Sequence, residues 1–469
     1  LISSFTAPSA RRRGAARLAA STLVCGLVAA AGLIASAGPA AADEAPQTQG
    51  GATATMGGLK TYGAAVLHDD SGDQEISAGL FEMSVDGGGT LQTYCVDLHN
   101  PTQRDAKYHE TPWSGTSLDA NDDAGRIRWI LQNSYPQVND LASLAAKAGI
   151  TGGLTEQDAA AGTQVAIWRS SDDADVDAVD PQAEQLADYL HKAARDVTEP
   201  AASLTLDGPA VSGHPGERIG PVTVHTDASA VTVTPPLDAG TTGVRIVGKD
   251  GEPVTTARDG SELFFDVPAD AGPGSAELTV QASTTIPVGR AFTSESRSQT
   301  QILAGSSEST VSATASATWA EQGAVPALSA AKNCARGGVD ITVANQGDEA
   351  FTFELMGAGH SIPAGTSRTV TIPLQEDQPY DFTITGLQGA ETRFTGLLDC
   401  QTQTAETSNL TTQTLSDPSP ATVGGTTATD TDLAETGGSS ATPIIAGTAI
   451  GLVVIGGAAL LLVGRKENG

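Results

Sequence analysis

The hydrophobic pattern changes at Glu199–Pro200, and no other feature constrains the fold as strongly. Before that point strand-like and helix-like periods alternate. After it come short apolar runs at residues 203–206, 222–226, 231–233, 243–247, 263–265 and 276–280, with Gly, Pro and Asp in the gaps. Short strands at such spacing are the pattern of a β-sandwich. The break predicts a multidomain chain: a mixed α+β domain over residues 60–198 and a β-sandwich over 199–325. A second, smaller sandwich follows over 326–400, with strands near 339–343, 350–355, 367–372, 380–384 and 392–398. The Ser/Thr-rich stretch 296–318 has no clear period and is left unassigned.

Within the first domain, residues 61–67, 78–85 and 90–98 read as strands. The run Asp86–Gly87–Gly88–Gly89 supplies a hairpin turn before the third of them. Helical spacing covers 122–132, 141–148, 155–168 and 183–194. Thr155 is an N-cap residue with Asp158 three positions on, a box-like helix start. Ala161, Val165 and Trp168 recur on one face, and Gln164 lies on the same stripe. Gly162 weakens this helix.

The two ends address the chain to a surface. Arg11, Arg12, Arg13 and Arg17 precede an apolar run at 18–34, and Ala40–Ala41–Ala42 offers a cleavage site, so residues 1–42 read as an export signal. Residues 43–59 are small and polar and read as a flexible N-terminus. The Thr/Ser/Gly-rich segment 401–432 cannot bury a core and reads as a flexible spacer. Residues 443–464 have the length and apolarity of a C-terminal transmembrane helix, and 465–469 form a basic tail. Between them, Leu433–Ala434–Glu435–Thr436–Gly437 resembles the cell-wall sorting signal of Gram-positive surface proteins, in the Ala-containing form of many actinobacteria. That resemblance implies cleavage by a sortase between Thr436 and Gly437 and transfer to a peptidoglycan precursor, with the helix holding the precursor in the membrane beforehand. A formal charge of −30 excludes nucleic acid as a partner.

Cleaving the signal removes Cys25 and leaves Cys95, Cys334 and Cys400, an odd number. Cys334 precedes the first strand of the small sandwich and Cys400 follows the last, so these two are expected to form a disulfide. A pairing of Cys95 with either would instead tie the first and third domains together. With Cys334 and Cys400 joined, Cys95 is left as a free thiol in an oxidising compartment. A thiol of this kind can attack a glutamine side-chain amide, releasing ammonia and leaving a thioester open to amines. Gln164, 69 positions away, is the candidate partner, which requires a folded domain to join strand and helix.

The segments around both residues carry a resemblance. Tyr94–Cys95–Val96–Asp97 and Thr163–Gln164–Val165–Ala166–Ile167–Trp168 resemble the two hallmark segments of bacterial surface thioester domains. The resemblance covers about residues 60–197 and implies a Cys95–Gln164 crosslink in a cell-wall-anchored adhesin. Such a protein captures an amine on a protein or matrix surface in a single turnover and is not an enzyme. Tyr94 and Trp168 are expected to shield the bond. Asp97 orients Cys95 or accepts from backbone, and Thr163 either donates near the Gln amide or serves its own helix.

Two other readings compete. One is a noncovalent binding or structural wall protein with an inert Cys95. The other is a secreted Cys-dependent hydrolase using His99 or His109, for which no third member is evident. No close Cys/His metal pattern or phosphate-binding loop occurs, so no metal or cofactor is expected. Asp172, Asp173, Asp175 and Asp177 read as a solvated acidic turn. Lys249 and Lys332 lie outside convincing buried strands, so no Lys–Asn isopeptide bond is expected.

Overall fold

A computed structural model describes residues 43–44, 50–70 and 72–401. The first domain is built on two long antiparallel strands, β1 (Thr53–Asp69) and β2 (Gly72–Val85). They run in register from Ala54 opposite Val85 to Asp69 opposite Gly72, with two bulges. β3 (Thr90–Cys95) folds back on β2 across Gly87, Gly88 and Gly89, all at positive φ, where residues with a Cβ are strained. β4 (Lys107–Thr111) pairs with the start of β1. Then come α1 (Ala124–Asn133), α2 (Leu141–Ala148), α3 (Glu156–Ser171), β5 (Val176–Ala178) on the far end of β1, and α4 (Pro181–Ala193).

The strand β1 begins well before residue 60. Ala52, Ala54, Met56 and Leu59 are buried, so the flexible segment expected at 43–59 is corrected: its last part is core strand. Alternation of small residues in a polar context hid it.

α3 starts as its sequence predicts. Thr155 accepts from the Asp158 amide at 3.1 Å, and the Asp158 carboxylate accepts from the Thr155 amide at 3.0 Å. The helix is not half-buried, however. Every residue from Ala159 to Trp168 is buried, because α3 is covered by β1 and β2, α1 and α4. Small side chains permit this close approach. A Cβ added at Gly162 would stand 2.4 Å from the Ala183 carbonyl oxygen of α4, so the glycine that weakens the helix is what lets α4 pack.

The second domain consists of β6 (Leu204–Asp207), β7 (Ala210–Gly213), β8 (Arg218–Thr226), β9 (Val231–Thr234), β10 (Arg245–Val247), β11 (Thr256–Ala257), β12 (Glu262–Asp266) and β13 (Gly274–Thr284). Three more strands follow: β14 (Ala291–Ser294), β15 (Gln301–Ser306) and β16 (Ser309–Trp319). One sheet has the order β11-β9-β13-β16-β7 and the other β10-β12-β8-β6. β13 and β16 pair along their whole length, ending at Thr284 opposite Ser309.

Between those two residues the chain leaves the sandwich. β14 pairs with β4, and β15 pairs with β3. The pairings β1-β2-β3-β15-β14-β4 return to β1, all antiparallel, so the first domain is a closed six-stranded barrel. This corrects the expected boundaries 60–198 and 199–325: two barrel strands come from the middle of the second domain. Thr293, Ser294, Ser298, Gln299, Thr300 and Gln301 are buried although polar. Hydrogen bonds satisfy all of these side chains except Gln299 Oε1, which has no partner among the described residues, so hydropathy carries no sign of their burial.

The third domain comprises β17 (Pro326–Asn333), β18 (Gly338–Asn345), β19 (Phe351–Leu355), β20 (Ala358–Ile362), β21 (Thr366–Pro373), β22 (Pro379–Thr385) and β23 (Glu391–Leu397). The Cys334–Cys400 disulfide, with Cα atoms 5.2 Å apart, joins the turn after β17 to the chain after β23, so Cys334 follows the first strand of the domain rather than preceding it. Cys95 is free and buried.

The expected architecture needs one further correction. Among the described residues no helix is long and apolar enough to cross a membrane, so the C-terminal transmembrane helix is removed from the fold class. Its segment, 443–464, lies outside the described residues, as do the signal at 1–42, the spacer beyond residue 401, the Leu433–Gly437 motif and the tail at 465–469.

Candidate functional site

Cys95 is the last residue of β3, and Gln164 lies midway along α3. Both are buried. The Cys95 amide donates to Gln164 Oε1 at 3.0 Å, and Gln164 Nε2 donates to the Cys95 carbonyl oxygen at 2.9 Å. The carboxamide is therefore clamped at both ends by the backbone of the residue that carries the thiol. The amide that meets Gln164 Oε1 is also the type of donor that stabilises a developing oxyanion.

The sulfur has its own partners. Gln301 Nε2 lies 3.2 Å from Cys95 Sγ, and Thr102 Oγ1 lies 3.7 Å away. Gln301 stands directly opposite Cys95 in the β3–β15 ladder. Its Oε1 accepts from the Thr93 hydroxyl at 2.9 Å, which fixes the orientation of the amide. Burial pushes the Cys95 thiol up to about 12. The Gln301 and Thr102 hydrogen bonds oppose that rise, and the charges of Asp97 and Asp172 add to it.

The flanking residues divide. Tyr94 is fully buried and its hydroxyl donates to the Tyr135 carbonyl at 2.9 Å, bridging β3 to the turn after α1. Trp168 is buried four residues beyond Gln164. Thr163 donates to the Ala159 carbonyl of its own helix at 2.6 Å and does not bond the Gln164 amide. Asp97 is buried, and its backbone oxygen accepts from Asn100.

Asp172 corrects the reading of the acidic turn. Its carboxylate accepts from the Leu98 amide at 3.0 Å and from Ser171 Oγ at 2.6 Å, and burial pushes its pKa up. It joins the end of α3 to the loop after Cys95. Asp177 instead pairs with Arg169 at 2.9 Å.

Neither histidine touches the sulfur. His109 bonds Thr53 Oγ1 at 3.0 Å and Glu295. His99 has its pKa lowered by burial, and its Nδ1 has no hydrogen-bond partner among the described residues. Hydrolytic cysteines need a depressed thiol pKa beside an imidazole. Cys95 has the opposite shift, and the groups hydrogen-bonded to its sulfur are neutral. Glu376, Asp377 and Asp399 bring carboxylates within 4.8 Å of one another, but the Glu376 carboxylate already accepts from the Cys400 and Gln401 amides.

Residues 92–202 match the family model of the thioester domain (TED). The match includes Cys95 and Gln164 and supports an intramolecular thioester in this segment. No curated protein matches the chain. Among solved structures, the Bacillus anthracis TIE protein is 16% identical over 74% of this chain and 63% of its own, with a TM-score of 0.26. This chain thus spans less than two thirds of that protein. The thioester domain of the Enterococcus faecium TIE86 protein is 15% identical over 58% of this chain and 97% of its own, with a TM-score of 0.27. At such scores neither superposition bears on the fold.

The matched segment ends well before Gln301, the residue that sequence reasoning missed. Thr102, seven residues after Cys95, was also missed; no motif signals either. Gln301 would be found only by recognising that the unassigned stretch 296–318 supplies a strand to the first domain.

Proposed function

We propose that Cys95 and Gln164 form an internal thioester with which this protein covalently captures amines on a target surface. The family match over residues 92–202 carries this reading. The Gln164 carboxamide is held on the Cys95 backbone, and the side-chain amide nearest to Cys95 Sγ is that of Gln301, at 3.2 Å, which makes Gln301 the second candidate for the acyl partner. In the forming step the sulfur attacks the Gln164 amide carbon. The S–C bond forms, the C–N bond breaks, and the thiol proton leaves on nitrogen as part of ammonia. The Cys95 amide polarises the carbonyl oxygen, and burial of the whole site keeps bulk water from the product.

In the capturing step an uncharged primary amine attacks the same carbon. A C–N bond forms, the C–S bond breaks, and the amine's proton returns to the sulfur. The product is a stable amide on Gln164 with a free Cys95 thiol, so each molecule acts once. The apolar h-region and sorting-type motif of the sequence add the location: export, then sortase transfer from Thr436 to a peptidoglycan precursor, giving a wall-anchored adhesin of the kind found in actinobacteria. The sandwich domains would serve as a stalk and the 401–432 segment as a spacer.

Intact mass spectrometry of the full chain tests the reading. The wild type should be lighter by one ammonia, and Cys95→Ala and Gln164→Ala should each show the mass calculated from sequence. Methylamine should add to Gln164 and expose one titratable thiol. A wild-type chain at full mass with its thiol already titratable overturns the proposal and leaves the noncovalent reading.

A further inference from the structure

The hairpin that completes the barrel is rooted in one domain and ends against another. β13 and β16 of the sandwich lead into it, and the pairing of β14 with β15 stops at Phe292 opposite Gln301. Residues 293–300 form its tip, next to the reactive cysteine. Gln301 stands opposite Cys95, and the Val96 amide donates to the Thr300 carbonyl at 3.2 Å. The third domain meets this tip at three points. Asp399 is buried and accepts from Thr300 Oγ1 at 3.2 Å. The Asp377 carbonyl accepts from Arg297 Nη2 at 3.1 Å. Lys332 Nζ reaches Thr293 Oγ1 at a longer 3.5 Å.

Lys332 and Asp399 belong to different sheets of the third domain. Lys332 is on β17, in the sheet β17-β18-β21, and Asp399 follows β23, which pairs with β22. The disulfide crosses between them: Cys334 is two positions after Lys332, and Cys400 comes directly after Asp399. We propose that the third domain is a cap on the reactive barrel, and that the Cys334–Cys400 bridge sets the cap by holding Lys332 and Asp399 at the spacing of the hairpin tip. Water reaches a buried bond when a strand end opens locally, and contacts made only in the closed state lower the opened fraction. The cap therefore governs how long a thioester on Cys95 survives. In the step it suppresses, a water oxygen bonds to the acyl carbon, the C–S bond breaks and one water proton goes to sulfur, leaving a carboxylic acid and a thiol. The inference rests on the thioester reading but not on which glutamine is the acyl partner, because β15 lies against the Cys95 sulfur in either case.

The test uses the full chain. Hydrolysis is followed by intact mass, as the gain of one water by the species that has lost ammonia, and amide hydrogen exchange is measured beside it. Asp399→Ala removes the acceptor for Thr300 and leaves the bridge, and should speed hydrolysis roughly 10-fold, as expected when a hydrogen bond of the closed state is lost. Lys332→Met should speed it by a smaller factor. In both variants exchange should rise across residues 300–306 and stay at the wild-type level across 339–343, a pattern that general destabilisation would not give. Replacing both bridge cysteines, Cys334→Ser with Cys400→Ser, should also speed hydrolysis. Asp399→Ala should then add less than it does alone, because the bridge and the carboxyl act through one contact. Wild-type hydrolysis and exchange in Asp399→Ala and Lys332→Met overturn the cap. Fully additive effects of the bridge and Asp399 overturn the part assigned to the disulfide. A wild-type chain without the ammonia loss overturns the thioester reading instead, and the exchange pattern still decides whether the third domain holds the hairpin.

Discussion

Two buried polar clusters lie on neighbouring strand pairs of the barrel, and they are built on opposite principles. Around Cys95, on β3 and β15, the sulfur and the carboxamide are held by neutral groups: two glutamine amides, a threonine hydroxyl and backbone. Around Glu110, on β4, the partners are ionic. Arg290 Nε donates to Glu110 at 2.9 Å, and Arg290 Nη1 donates to Glu199 at 2.6 Å. Glu110 also accepts from the Ala52 and Ser203 amides. This cluster joins the start of the barrel, the interdomain linker and the chain entering β14. Charge is used where the start of the barrel, the linker and the chain entering β14 meet. Neutral donors are used where an electrophilic bond must persist, because a basic group against the sulfur would promote its hydrolysis. The closing of the barrel around an insertion from the second domain makes the two clusters neighbours.

The largest effect should come from breaking the ionic cluster. Arg290→Ala leaves Glu110 buried without its cation, and should lower unfolding stability by about 3–5 kcal/mol in urea titrations. The ammonia loss should persist in whatever fraction remains folded. If Arg290→Ala is as stable as the wild type, the charged cluster is not what fixes the two domains.

The neutral cluster should break with less cost to the fold and complete cost to the chemistry. Gln164→Leu preserves volume but leaves the Cys95 N–H without its side-chain acceptor, a loss of about 1–3 kcal/mol. Its mass should equal the sequence mass. A Gln164→Leu chain that still lost ammonia would identify a different acyl partner for Cys95.

What the sequence made legible follows the same division. Local rules sufficed for the Gly87–Gly89 turn, the Thr155 cap and the placement of Gln164 on an inward helix face, since each depends on residues a few positions apart. The Cys334–Cys400 disulfide was legible because the bridge closes a single domain. Gln301 was not, for two physical reasons. The residues leading into its strand, Ser298, Gln299 and Thr300, are buried although polar, and the strand pairs with β3 across more than 200 residues. Glu110 and Arg290 were hidden likewise: a charged residue on a strand reads as exposed unless its counterion is known. Gly162 was misjudged because helix propensity describes an isolated helix, and here α4 sets the requirement.

A carboxyl at the back of the neutral cluster sharpens the comparison through pH. Asp399 accepts from Thr300 Oγ1 at 3.2 Å, one residue before Gln301, and burial pushes its pKa up to about 7 despite the opposing charge of Lys332. The folded state therefore retains this proton where the unfolded chain, with an Asp pKa of about 3.9, has lost it. Its contribution is fully present below about pH 4 and is lost as pH rises through about 7, with a slope of at most about 1.4 kcal/mol per pH unit. Urea unfolding between pH 4 and 8 should show this fall in wild type and a shallower one in Asp399→Asn. An unchanged slope would mean that Asp399 is ionised in the folded protein and that charge is tolerated beside the neutral cluster.

The smallest effect should separate stability from chemistry on the helix that carries Gln164. Thr155 caps α3 nine residues before Gln164, at an exposed end remote from Cys95. Thr155→Ala removes the side-chain acceptor for the Asp158 amide and half of the capping box, a loss of about 1 kcal/mol. The fixed contacts of residues 159–168 with β1, β2 and α4 should hold Gln164 in place even if the first turn frays. Thr155→Ala should therefore unfold at lower urea yet lose ammonia completely and react with methylamine at the wild-type rate. A slower reaction in this variant would show that the first turn helps to set the position of Gln164, and that the neutral cluster depends on the whole helix rather than on its buried centre.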